Sequence, residues 1–144
     1  MTRWLLDTNV LSELRRPRPE QRVVAFVAAQ PLDALFVSCV TLAELRFGIE
    51  RLADGARRTD LADWLAHRLR PMFERRILPL DEDVIVHWRF LVEEGRQRGH
   101  TFSQPDLLIA ATALDAGLTL ATRNTSDFLQ TGVPIFNPWT DPLP

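Results

Sequence analysis

Trp4-Leu5-Leu6-Asp7-Thr8-Asn9-Val10-Leu11 changes character across a single acid. Trp4 to Leu6 is a short apolar run of the kind that forms a strand buried on both faces. Thr8 and Asn9 then offer helix-capping chemistry, and Val10, Leu11 and Leu14 lie at helical spacing. A strand entering a helix in this way opens a βαβ unit. The acid at the junction is the unusual part, because a carboxylate closing a buried strand is costly unless it is paired or liganded.

The alternation continues along the chain. Pro17 and Pro19 interrupt it, and Val23, Val24, Phe26 and Val27 give a second helical face ending before Pro31. Residues 34–38 read as a buried strand, and a helix follows from Thr41 with Leu42, Leu45, Ile49 and Leu52 on one face. Residues 57 to 73 carry Leu61, Trp64, Leu65 and Leu69 at helical intervals, with Pro71 marking a stop or kink. After a short strand at 77–80, Asp81-Glu82-Asp83 supplies the negative charge favoured at a helix start, and that helix runs from 83 to near Gly95. Ser103 opens an almost wholly apolar helix closed by Gly117, so it belongs in the core. Strands at 118–121 and 133–136 flank a helical turn at 126–129. Short apolar strands alternating with helices predict a three-layer α/β/α sandwich around a mainly parallel sheet of about five strands, in a single domain spanning residues 1–144.

Composition bounds the function. Hydrophobic residues make up 46% and charged residues 25% of 144 residues, an ordinary globular balance. Cys39 is the sole cysteine, which excludes an internal disulfide and a cysteine-built zinc site and fits a reducing cytoplasm. The short apolar run at residues 4–6 is no secretory leader, and no stretch approaches a membrane span. The net charge of -2 leaves nucleic-acid binding to local clusters. All 17 basic residues are arginine, which removes every mechanism that needs a lysine. A phosphotransfer domain with an aspartate after its first strand is disfavoured on that ground.

Ligand sites in open α/β sheets gather outside the carboxyl ends of the strands. The polar residues expected there are mostly acids: Asp7 after the first strand, Glu44 in the next helix, Asp106 at the start of the buried helix, and Asn124 with Asp127 after the fourth strand. Carboxylates converging in one cleft require raised pKa values or a bound cation. A hard ion such as Mg²⁺ or Mn²⁺ suits an all-oxygen donor set and phosphodiester chemistry. Each acid also has a reading as a helix cap. Thr41-Leu42-Ala43-Glu44 matches a capping box, Ser103-Gln104-Pro105-Asp106 resembles one, and Asn124-Thr125-Ser126-Asp127 serves similarly; Asp7 is the least easily explained as a cap. Gly48, one turn beyond Glu44, either clears space for that carboxylate or permits close helix packing.

These residues, in this order, resemble the PIN-domain family, most closely its VapC/FitB-like toxin branch. The resemblance spans nearly the whole chain and rests on Leu5-Leu6-Asp7-Thr8-Asn9-Val10, Val40-Thr41-Leu42-Ala43-Glu44-Leu45-Arg46-Phe47-Gly48, Asp106-Leu107-Leu108-Ile109-Ala110-Ala111-Thr112-Ala113, Leu120-Ala121-Thr122-Arg123-Asn124 with Asp127-Phe128, and Val133 through Trp139. It implies a Mg²⁺-dependent endoribonuclease, with Mn²⁺ as a possible substitute, that forms a homodimer and is neutralised by a small cognate VapB-like antitoxin. Asp7, Glu44 and Asp106 then match the acids that hold metal and organise the attacking water. The fourth position departs: Asn124 stands where some relatives have aspartate, and Asp127 follows three residues later. A catalytically weak or inactive PIN-like module that binds RNA or protein is the alternative.

Thr8 and Thr122 are candidates for hydrogen bonding to substrate. Arg96, Arg98 and His100 lie in the loop before Asp106, where they could meet RNA phosphates, and Arg15, Arg16, Arg18 and Arg22 form a second basic cluster. His67, His87 and His100 are too scattered for a histidine metal site, and Cys39 fits a small core position.

Overall fold

Strand β1 (Trp4–Leu6) sits at the centre of the sheet, and its neighbours explain why its residues are all apolar. The computed structural model describes residues 1–144. Strands β2 (Leu35–Ser38), β3 (Ile77–Leu78), β4 (Thr119–Ala121) and β5 (Ile135–Phe136) complete one five-stranded sheet in the order β3-β2-β1-β4-β5. Every pairing is parallel, with Leu5 opposite Phe36 on one side and Leu120 on the other. The sheet is therefore wholly parallel, as its continuous apolar strands require when both faces are covered.

Alternation along the strands divides the core in two. Trp4 and Leu6 of β1, Leu35 and Val37 of β2, and Ala121 of β4 face one layer. There they meet α1 (Thr8–Arg15), α2 (Gln21–Ala29), α3 (Cys39–Glu50) and a long helical segment made of α4 (Ala56–Trp64), a π turn (Leu65–Leu69) and α5 (Arg70–Met72). Trp4, Phe26 and Phe136 form an aromatic cluster with centroids 4.8–5.2 Å apart. Leu5 and Leu120 face the opposite layer, built from α6 (Glu82–Gln97), α7 (Gln104–Ala116) and α8 (Thr125–Phe128). Most of α7 is buried, as its apolar sequence predicts.

Most boundaries shift by one or two residues from the sequence expectation, and three of the differences have a clear local reason. Helix α3 begins at Cys39 rather than Thr41, because Ser38 is its cap and accepts a hydrogen bond from the Val40 N–H at 3.0 Å. Pro71 does not stop the preceding helix. Its missing N–H is accommodated at the end of a π turn, where the backbone ladder is already shifted. Helix α6 runs two residues past Gly95, which stays inside the helix because the chain folds back on it: a Cβ there would stand 2.8 Å from the Phe102 ring and 3.0 Å from the His100 carbonyl oxygen. Gly117, with φ 68°, closes α7 in the left-handed conformation as expected.

Candidate active site

The order of the strands reverses direction at β1 and β4, and the crevice outside their carboxyl ends is the natural ligand site of such a sheet. Asp7 lies there, directly after β1 and 4% exposed. Its Oδ1 accepts from the Thr8 N–H at 2.8 Å, and its Oδ2 accepts from the Thr122 hydroxyl at 2.8 Å and the Asn9 side-chain amide at 3.4 Å. A carboxylate offers about four acceptor positions, so three bonds leave one lone pair of Oδ1 open. Burial holds the Asp7 carboxyl above its ordinary pKa, against the lowering effect of the Thr122, Thr8 and Asn9 hydrogen bonds, and the nearby charge of Asp127 adds to the rise.

Asp106 occupies the first turn of α7, with the helix phased by Pro105 near its start. Its carboxyl is also raised, first by burial and then by the charges of Asp7 and Asp127; Glu44 adds a smaller push, and a hydrogen bond with Ser103 opposes the rise. Asp7, Glu44, Asp106 and Asp127 therefore share one electrostatic neighbourhood although they come from four separate elements. None of the six ion pairs in the molecule involves any of them. No arginine of the chain is in ion-pair contact with any of the four.

The capping readings fall differently from the sequence expectation. Asp7, the acid least expected to cap, is the one that does, accepting from the first N–H of α1. Thr41 caps nothing: it lies inside α3, fully buried, and its hydroxyl has no hydrogen-bond partner. Ser103 and Asn124 stand at N-cap positions without making a side-chain cap bond. Gly48 is exposed, and a Cβ there would meet nothing within 4 Å. Close helix packing is therefore not its role; it leaves the space beside Glu44 open.

The donor set suits a hard cation. Every candidate ligand atom is oxygen, the charges are unpaired, and the orphaned Thr41 hydroxyl lies one turn before Glu44 on the same helix. No three His, Cys, Asp or Glu side chains stand close enough to enclose an ion between them. Mg²⁺ fits such an arrangement, because it is commonly held by one or two carboxylates and keeps several waters.

The remaining candidates separate clearly. Thr8 lines a cleft of about 800 Å³ together with Glu44, Gly48, Arg15, Arg57 and Trp64. That cleft, running between α1, α3 and α4, was not anticipated as a unit, because its residues belong to three helices whose packing no local pattern reveals. Thr122 is fully buried with its hydroxyl committed to Asp7, so it acts on the acid and cannot reach substrate. Asn124 is exposed and donates its backbone N–H to Thr122 at 3.0 Å, whereas Asp127 is the residue whose charge reaches Asp7 and Asp106. Arg96 pairs with Glu93 at 3.1 Å, and Arg98 donates to the Gln130 carbonyl at 3.1 Å, tying its loop to the chain before β5. His87 faces Asp115 at 3.5 Å, His67 is exposed, His100 stacks edge-on against Phe102, and Cys39 packs beside the second core layer. The histidines are dispersed, as their spacing predicts.

Residues 4–133 match the PIN domain. The chain belongs to the PIN-domain family. Within that family this PIN domain is 41% identical to Toxin FitB of Neisseria gonorrhoeae over 137 residues, covering 95% of this chain and 99% of FitB. It is 39% identical to VapC ribonuclease Y4jK of Sinorhizobium fredii over 135 residues, covering 94% and 96% respectively. The crystal structure of FitAcB from Neisseria gonorrhoeae superposes with a TM-score of 0.89 at 40% identity, covering 94% of this chain and 98% of that one. A chain in a toxin–antitoxin complex from Klebsiella pneumoniae superposes at 0.66 with 26% identity, covering 93% and 96%. No helix is long and apolar enough to cross a membrane.

Proposed function

We propose that this PIN domain is the toxin of a bacterial toxin–antitoxin pair, an endoribonuclease that hydrolyses RNA phosphodiester bonds with Mg²⁺, or Mn²⁺ in its place. One observation carries the reading: four acids from separate elements act on one another electrostatically at the carboxyl edge of β1 and β4, and none of them is held in an ion pair. The names of the relatives, toxin and ribonuclease, agree with it.

Asp7 and Asp106 would hold the ion, with Glu44 and Asp127 at its margin. The bound ion would supply activation of water and neutralisation of charge at the phosphate. The chain's own contribution is positional. Asp7 is fixed by three hydrogen bonds, so its free Oδ1 lone pair keeps one direction. Glu44 and Asp127 are exposed, which leaves them free to meet an incoming RNA. Thr8, beside Glu44 in the cleft, is placed to donate a hydrogen bond to a phosphate oxygen, and Arg15 and Arg57 bring positive charge to the same cleft. A VapB-like antitoxin and a second copy of the chain are the expected protein partners, and the cytoplasm is the expected compartment.

RNA cleavage should require Mg²⁺ or Mn²⁺, and Asp7→Asn should reduce it at least about 100-fold. Undiminished cleavage by that variant, or in chelator, overturns the mechanism. The alternative, an inactive binding module, draws on Asn124 at the fourth acidic position and on the absence of three acids close enough to enclose an ion. A calorimetric titration that detects no Mn²⁺ binding at millimolar concentration would favour it.

A further inference from the structure

Asn9 is read from the sequence as capping chemistry and as part of the opening motif, with no role of its own, yet Asp7 caps α1, and the Asn9 side chain does something else. Its amide is hydrogen-bonded to both strand ends that build the acidic site. Nδ2 donates to Asp7 Oδ2 at 3.4 Å and to Thr122 Oγ1 at 3.2 Å, while Oδ1 accepts from the Arg123 backbone N–H at 3.2 Å. Thr122 closes the ring by donating to Asp7 Oδ2 and accepting from the Asn124 N–H. The proton count is consistent: the single hydroxyl proton goes to Asp7, and the two oxygen lone pairs receive Asn9 and Asn124.

We propose that Asn9 is a positioning residue that clamps the loop after β4 to Asp7 and so sets where Asp127 stands relative to Asp7 and Asp106. The proposal rests on the reading of this cluster as a metal-dependent nuclease site. The backbone pairing of β1 with β4 ends at Leu6 opposite Ala121, extended only by the Asp7 N–H to the Ala121 carbonyl. Beyond that bond the two segments, more than 110 residues apart in sequence, diverge into α1 and the α8 loop. From there the Asn9 and Thr122 side chains are what join them. The task also explains the residue type. Aspartate would keep the acceptor for Arg123 but turn a third oxygen toward Asp7 Oδ2, and alanine would keep neither function.

Asn9→Ala, Asn9→Asp, Thr122→Val and the double variant Asn9→Ala/Thr122→Val test this. Backbone amide exchange at Arg123 and Asn124 should accelerate about tenfold or more in Asn9→Ala and Thr122→Val while α7 amides keep their protection, and Asn9→Asp, which keeps the Arg123 acceptor, should accelerate it less. The Mn²⁺ dissociation constant should rise about 10–100-fold, the usual consequence of losing a partner that orients a ligand. The RNA cleavage rate constant kcat should fall while KM stays within about twofold. The double variant should bind Mn²⁺ about as weakly as the worse single variant, because both act through one clamp. Unchanged exchange at Arg123 and Asn124 overturns the proposal; so does faster exchange with wild-type Mn²⁺ affinity, or additive losses in the double variant. Wild-type protein that binds no Mn²⁺ and cuts no RNA would overturn the nuclease reading instead, and the exchange result would still decide whether the clamp exists.

Discussion

Replacing Asp106 by asparagine should separate the acid's cost to the fold from its use in the site. Its folded-state pKa is raised, chiefly by burial and then by Asp7 and Asp127. Such a group adds stability below its unfolded pKa and loses that contribution as pH rises through the folded value. Metal-free wild type should therefore lose stability relative to Asp106→Asn as pH climbs out of the carboxylate range. At pH 7 the variant should melt higher than metal-free wild type. Millimolar Mg²⁺ should narrow or reverse the difference by binding wild type better. Differential scanning calorimetry across pH 4–8 checks both, and a variant that melts lower than metal-free wild type at pH 7 would contradict the account. Thr41 offers a parallel case. Its buried hydroxyl has no partner, so Thr41→Val should gain about 1 kcal/mol in urea unfolding of the metal-free protein.

At the scale of elements, the site depends on joints more than on the helices themselves. The loop from α6 to α7 carries Ser103 and delivers Asp106, and it folds back tightly over Gly95. Gly95→Ala would place a methyl group 2.8 Å from Phe102 and should cost about 1–3 kcal/mol by overpacking. Its urea midpoint should drop accordingly, and a midpoint equal to wild type would show that the loop yields easily. Most elements were legible because their periodicity is local: Trp4–Leu6, the α3 face and the apolar α7 all follow from side-chain spacing. Starts and stops were less legible. The first turn of α3 was assigned to Thr41 because Thr-x-x-Glu imitates a capping box, while Ser38, three residues earlier, makes the bond. Asp7 misled in the opposite direction, since one carboxylate both caps α1 and serves the cluster, and a sequence pattern gives no means of choosing between two roles that are both filled.

For the molecule as a whole, RNA affinity should depend on where arginines sit rather than on net charge, which is -2. Arg15 and Arg57 line the cleft that reaches Glu44, whereas Arg96 is already paired with Glu93. Arg15→Ala/Arg57→Ala should weaken RNA binding by about 1–2 phosphate contacts' worth of salt dependence, seen as a shallower slope of log K against log salt. Arg96→Ala should leave that slope unchanged. Equal slopes for all three proteins would remove the cleft from the RNA path. The sequence by itself determined the mostly apolar strands, their alternation with helices and hence a parallel sheet, and it named the acids, because these depend on residue type and short-range spacing. Tertiary structure alone decided that the charge of Asp127 acts on Asp7, that the Thr122 hydroxyl is buried and committed to Asp7, and that Asn9 joins two strand ends. Those facts depend on the meeting of segments more than 100 residues apart, and a spacing rule that looks one or two helical turns ahead carries no information about such meetings.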